Sequence, residues 1–253
     1  EIGDYDLADS YVSVNQALIH AGASLNLGVE IHWVDSKRFE EDSRKVEMLK
    51  EYNGIIVPGG FGASGVEGKI KAINYARIHK IPYLGLCYGL QLAVVEFARN
   101  VCGMKNANTT ENAKTDAPVI GILPAQKELM EKSQYGGTMR LGAYAAVLRE
   151  KTQVLKLYQE TGRLKEDSNK IQELKKDKTQ EFRLGILDHN KNIVLERHRH
   201  RYEVNPKYID ILEKNGLVFS GYHLREDNTK LMEYIELPKN EFFVGTQAHP
   251  EFK

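Results

Sequence analysis

Short runs of branched and aromatic residues alternate with stretches of helical spacing through the first two-thirds of the chain, and this constrains the fold most. Asp9 or Ser10 is placed to cap a helix running to about Ala21, with Gly22 as its stop. Val29–Val34 reads as a strand, Ser43–Tyr52 as a polar helix, and Ile55–Val57 as a buried strand ending in Pro58-Gly59-Gly60-Phe61-Gly62. Ser64–His79 follows as a helix, Pro82–Leu86 as a strand, and Tyr88–Val101 as a helix with Leu92, Val95 and Phe97 among its apolar positions. Strands separated by helices favour parallel pairing, so the expected fold is α/β, with a largely parallel central sheet flanked by helices. The tail differs. Its β runs at Ile193–Val204, Leu217–Tyr222, Leu231–Leu237 and Phe242–Gln247, with a helix near Pro206–Lys214, are expected to add antiparallel strands.

Residues 150–183 break the alternation, being rich in Lys, Glu, Gln and Asp and short of large apolar side chains. Such a stretch is either a solvated helix or a mobile insertion. An insertion is preferred to an interdomain linker, because the residues after it complete a site begun before it. The expectation is therefore one domain over residues 1–253. The 35 acidic and 35 basic residues balance, so charge points neither to nucleic acid nor to an acidic partner. No run approaches the roughly 18 apolar residues of a membrane span, and no signal peptide is visible. Two cysteines, Cys87 and Cys102, are too few for a disulfide framework, and a reducing, cytoplasmic setting is expected. The chain opens at Glu1 inside what reads as an element, as a piece of a longer protein would.

Gly85-Leu86-Cys87-Tyr88-Gly89 places a cysteine in a tight corner between strand and helix. Flanking glycines let neighbouring backbone approach, and a helix N-terminus favours a thiolate and can hold an oxyanion. The bland alternative is a buried structural cysteine; Cys102, without such a setting, reads as core filler. A thiol nucleophile needs a histidine base, and the base needs an acid to fix its tautomer. His249-Pro250-Glu251 offers both, since residues two apart in extended chain point the same way. The glycine-rich turn after Ile55–Val57 is expected to aim the Gly60 N–H into the same pocket as that of Tyr88. It has no nucleotide-loop spacing. Gln91 lies one helical turn from Cys87 on the same face. Arg197-His198-Arg199-His200-Arg201 puts arginines on one strand face and histidines on the other; arginine recognition of a small carboxylate fits better than metal or nucleic acid.

Together these motifs resemble the class I, triad-type glutamine amidotransferases, and within them the glutaminase domains of CTP synthases. The narrower resemblance rests on Gly89-Leu90-Gln91-Leu92-Ala93, Glu96-Phe97-Ala98-Arg99-Asn100, Asn106-Ala107-Asn108-Thr109-Thr110-Glu111, Gly136-Gly137-Thr138-Met139-Arg140-Leu141-Gly142, Arg197 through Asn205, and His249-Pro250-Glu251-Phe252. It implies Cys87 as nucleophile, His249 as base and Glu251 as orienting acid, with oxyanion N–H groups from Gly60 and Tyr88. It also implies a glutamine site of Gly60, Phe61, Tyr88, Gly89, Leu90, Gln91, Glu111 and Arg201. No metal or cofactor is implied in this domain; ATP, Mg2+ and allosteric GTP are implied for the whole enzyme, together with an N-terminal synthetase domain of the same polypeptide and homo-oligomerisation. The glutaminase of another synthetase, such as GMP synthetase, a free-standing γ-glutamyl hydrolase and a catalytically silent assembly module are the alternatives. Three positions depart from the pattern. Tyr88 replaces a smaller aliphatic residue, Ser64 an arginine expected to serve the GTP response, and Asn112 an aromatic after Glu111.

Overall fold

The computed structural model describes residues 11–122, 139–187 and 192–252. Helix α1 (Val12–Ser24) is followed by α2 (Lys37–Glu41), a 3-10 helix (Ser43–Glu51), β1 (Ile55–Val57), α3 (Val66–His79), β2 (Tyr83–Leu86) and α4 (Tyr88–Asn100). Then come β3 (Ala107–Thr109), β4 (Ala117–Gly121), β5 (Arg140–Leu148), α5 (Gln153–Glu160), α6 (Arg163–Leu174), β6 (Ile193–His200) and β7 (Glu203–Val204). The last elements are α7 (Ile209–Lys214), β8 (Val218–Leu224), β9 (Lys230–Glu236) and β10 (Phe243–Thr246).

Seven strands form one sheet in the order β1-β2-β10-β9-β8-β5-β6, and β3-β4-β7 form a second. The class is the expected α/β, and the antiparallel C-terminal strands are present. Parallel pairing is narrower than expected: β1, β2 and β10 run parallel, and the remaining pairs of the large sheet are antiparallel. Those three strands matter most, because each ends at the same edge of the sheet. β1 runs into Pro58–Gly62, β2 into Cys87 and β10 into Gln247–Glu251. Open α/β sheets gather ligands at such carboxyl ends.

Helix α4 lies between the sheets, touching β1, β2 and β10 on one side and β3, β4 and β7 on the other. Tyr88 through Ala98 are accordingly all buried, with apolar side chains on every face of the helix. The one buried charge there, Glu96, is held by Arg77 at 2.8 Å and by the amides of Asn74 and Asn100.

Several expectations change. Asp9 and Ser10 lie outside the described residues, and α1 runs past Gly22 to Ser24. Gly22 is a close-approach glycine and not a stop: a Cβ there would sit 2.4 Å from Val29 Cγ2. Ser43–Glu51 is a 3-10 helix started by the Asp42 carboxylate, which accepts from the Arg44 N–H. Val29–Val34 forms no strand. A cavity of about 1040 Å³ lies beside it, lined by Tyr11, Ile31, Trp33, Phe39 and Val57 among others, so the alternating segment has no ladder partner among the described residues. Strands β3, β4 and β5 fall where the sequence pattern assigned nothing; β5 is Ala- and Gly-rich, and its pairing with β6 and β8 makes it a strand.

The charged stretch is two helices with a packed face. Val154, Leu155 and Ile171 are buried, and Asp167 accepts from the Leu195 N–H of β6 and from Arg163. Few apolar residues suffice because they fall on one side of each helix. No helix among the described residues is long and apolar enough to cross a membrane.

Candidate functional site

The corner after β2 is strained at one residue. Cys87 has φ 47° and ψ −95°, a conformation L side chains rarely adopt, and its N–H is held by Thr246 O at 2.7 Å. The two neighbouring glycines are dictated by packing: a Cβ on Gly89 would lie 2.1 Å from Val57 O, and one on Gly85 would lie 2.7 Å from the Gly89 carbonyl carbon. The sequence Gly-x-Cys-x-Gly thus seats the first turn of α4 against β1 and leaves the thiol at the sheet edge.

Burial pushes the Cys87 thiol up to about 12, with the Glu251 and Glu203 carboxylates adding to the rise. Two donors oppose them, the Tyr88 backbone N–H and the Gln247 side chain, whose Nε2 lies 3.6 Å from Sγ. Desolvation thus outweighs the dipole and its N–H groups and disfavours the thiolate expected from the helix N-terminus.

His249 Nδ1 pairs with Glu251 Oε1 at 2.8 Å. The carboxylate accepts, which places the proton on Nδ1 and leaves Nε2 for other chemistry. The pair forms across a 3-10 turn over Pro250–Phe252 and not along extended chain, a correction to the expected geometry. A Cβ on Gly59 would meet the imidazole Cε1 at 2.7 Å, so the Pro58–Gly62 turn packs directly on the His249 ring.

Other expected residues separate by what they can offer. Gln91 is buried and its Nε2 is occupied by Tyr202 O and Gln247 Oε1, leaving Oε1 as its free acceptor. Leu90 is fully buried in the core, so its side chain does not line a pocket. Phe61 is 88% exposed. Glu111 accepts from the Gly62 N–H at 3.1 Å, on the glycine turn itself. Arg201 follows β6, half-buried, with no ion pair to a described residue. Arg197 and Arg199 are exposed while His198 and His200 are buried, as the strand alternation predicts. The two imidazoles bond each other at 3.0 Å, and burial together with the Arg140 guanidinium holds both well below the usual histidine range.

Sequence reasoning missed Gln247. Its amide orientation is fixed: Gln91 donates to Oε1, which turns Nε2 towards the sulfur. Its position two before His249 gave no chemical signal, since only the fold brings it behind Cys87. Also unforeseen is a buried cluster of Arg140, Glu203 and Glu233, with Arg140 Nη1 2.7 Å from Glu233 and 3.4 Å from Glu203. A strained thiol with two hydrogen-bond donors, an acid-oriented imidazole and a glycine turn at one sheet edge can support covalent acyl transfer.

Residues 6–253 match the family model described as glutamine amidotransferase class-I. The CTP synthase of Methanocaldococcus jannaschii is 48% identical over all of this chain, which spans 41% of that relative's length. The CTP synthase of Saccharolobus solfataricus is 47% identical, with 100% of this chain and 41% of the relative covered. A solved structure, the Trypanosoma brucei CTPS glutaminase domain with bound acivicin, shares 35% identity at a TM-score of 0.77, covering 99% of this chain and 84% of that one.

Proposed function

The chain belongs to the class-I glutamine amidotransferases as the glutaminase part of a CTP synthase, and from that premise we propose that it hydrolyses L-glutamine through a thioester on Cys87. The observation that carries the mechanism is the convergence on one sheet edge of the strained Cys87, the His249–Glu251 pair and the Pro58–Gly62 turn.

In this reading the buried thiol stays neutral until substrate arrives. His249 takes the Sγ proton as sulfur bonds to the side-chain amide carbon, and the Tyr88 and Gly60 N–H groups receive the developing oxyanion. Glu251 stabilises the imidazolium. The C–N bond then breaks, His249 returns the proton to the leaving nitrogen, and ammonia departs from a γ-glutamyl thioester. Water, deprotonated by His249, attacks that carbonyl; the C–S bond breaks, and glutamate and the thiol are regenerated. Glu111 meets the substrate ammonium and Arg201 its carboxylate, each a charge costly to bury unpaired. Gln91 contributes its free Oε1; Phe61, Gly89 and Leu90 contribute backbone.

Because the chain spans 41% of the CTP synthases it matches, the use of the ammonia belongs to the wider proposal. A synthetase domain of the same polypeptide would convert UTP to CTP with ATP and Mg2+, GTP would act as effector, and the whole enzyme would assemble as a cytoplasmic homo-oligomer. No such group is needed for the hydrolytic steps above. Ser64, in place of the arginine of the resemblance, points to a weakened GTP response.

The test is Cys87→Ala with glutamine as substrate. Ammonia release should fall by several orders of magnitude, since no nearby group replaces the nucleophile. Mass spectrometry of the unsubstituted chain treated with a glutamine-shaped diazo ketone should show the adduct on Cys87. Retained hydrolysis, or an adduct on Cys102, refutes the assignment.

A further inference from the structure

The side chains of Tyr88 and Asn112 touch each other. The Tyr88 hydroxyl lies 2.8 Å from Gly62 O and 2.9 Å from the Asn112 side-chain amide. A hydroxyl carries one proton, so it cannot donate to two carbonyl oxygens at once. Asn112 Nδ2 is meanwhile buried without a partner. With the amide turned so that Nδ2 faces the hydroxyl, Asn112 donates to Tyr88 and the hydroxyl donates its proton to Gly62 O, with Oδ1 on the far side of the amide.

The result is a closed circuit. Gly62 is held on both backbone groups, its N–H by Glu111 Oε1 at 3.1 Å and its C=O by Tyr88. Asn112 is the covalent neighbour of Glu111, and Tyr88 is the first residue of α4, next to Cys87. The Tyr88 ring also lies under the turn, since a Cβ on Gly60 would meet its Cδ1 at 3.7 Å. One side chain therefore links the oxyanion turn, the loop of Glu111 and the nucleophile's helix. Gly62 has φ +78° and the adjoining Phe61 is 88% exposed, so little else packs on the tip of the turn. Burial lifts the phenol to about 12, and it stays a neutral hydrogen-bonding group across the working pH range.

We propose that the Tyr88 hydroxyl and the Asn112 amide act as one positioning pair, setting the separation of the Pro58–Gly62 turn from Glu111 so that glutamine's ammonium and its side-chain amide are engaged together. The proposal rests on the glutaminase reading and names residues beyond its catalytic steps. A reagent that uses only the thiol should be indifferent to the pair; one that must also reach Glu111 should not.

The test compares Tyr88→Phe, Asn112→Ala and the double variant in the 253-residue chain. Inactivation by a glutamine-shaped diazo ketone is followed beside Cys87 alkylation by iodoacetamide. Asn112→Ala should slow the diazo ketone about tenfold, the size of one lost hydrogen bond, and Tyr88→Phe, which also frees Gly62 O, at least as much. The double variant should be no worse than Tyr88→Phe, because Asn112 acts on the turn only through that hydroxyl. Iodoacetamide rates should stay within about twofold. Unchanged diazo-ketone rates, a double variant about tenfold slower than Tyr88→Phe, or an equal fall with iodoacetamide would each overturn the pair. Thermal melts run alongside separate a folding defect from a positional one, with Tyr88→Phe keeping the buried ring. Labelling of Cys102 instead of Cys87 would overturn the nucleophile assignment beneath it, and the adduct's position tells the two failures apart.

Discussion

With its pKa pushed up to about 12, the Cys87 thiol should behave unlike an ordinary cysteine or a thiolate–imidazolium pair. At pH 8 about one molecule in ten thousand would carry the thiolate, against roughly a quarter for a free cysteine of pKa about 8.5. Alkylation of Cys87 by iodoacetamide, in a Cys102→Ser background, should then run about a thousandfold slower than that of free cysteine. It should climb nearly tenfold per pH unit from about pH 7 to 10, with no plateau. Gln247→Leu removes one of the two donors that favour the anion, leaving the Tyr88 N–H. A hydrogen bond to a charged group contributes about 1.5–3 kcal/mol, so the variant should react about tenfold or more slowly at each pH. The assay is loss of free thiol over time at several pH values, with the modified site mapped by mass spectrometry. A plateau near neutrality would show that His249 and Cys87 share an ion pair before substrate binds, and the argument from burial would be wrong. Equal rates for Gln247→Leu and its parent would remove the role given to that amide.

Two further outcomes follow from other parts of the structure. Glu111→Gln and Arg201→Ala should each lower kcat/KM for glutamine about a hundredfold, mainly through KM, because each leaves one ligand charge uncompensated at about 2–5 kcal/mol; near-normal kinetics in steady-state ammonia release would move the substrate contacts elsewhere. Glu196 is raised by burial from 4.5 to about 7, so the folded chain keeps a proton that the unfolded chain releases. Its contribution to stability is complete below about pH 4.5 and is lost as pH rises to about 7, a change of about 3 kcal/mol. Glu196→Gln should flatten that part of the pH–stability curve in urea titrations, and an unaltered slope would assign the dependence to another group.

The local features of the site were legible in the chain because each is imposed by chemistry close in sequence. Gly85 must lack a Cβ because the Gly89 carbonyl four residues on lies against it, although Gly89 itself answers to Val57 O on β1. The His249–Glu251 pair spans two residues, and only its backbone form was misjudged. Long-range pairing decided the rest. Val29–Val34 has the alternation of a strand, yet alternation describes faces and does not supply a neighbour, and none stands beside it among the described residues. Strand β5 shows the converse: Ala143, Ala145 and Ala146 carry little strand preference, and the ladders to β6 and β8 impose the conformation. The helices of the charged stretch pack through Val154, Leu155 and Ile171, and Asp167 ties the second of them to β6, 28 residues away. The sequence by itself determined which atoms can attack, accept a proton and turn a corner. Tertiary structure decided how acidic the thiol is, that Gln247 stands behind it, and that Tyr88 meets Asn112, because desolvation and contacts across 24 to 160 residues arise only once the sheets close over α4.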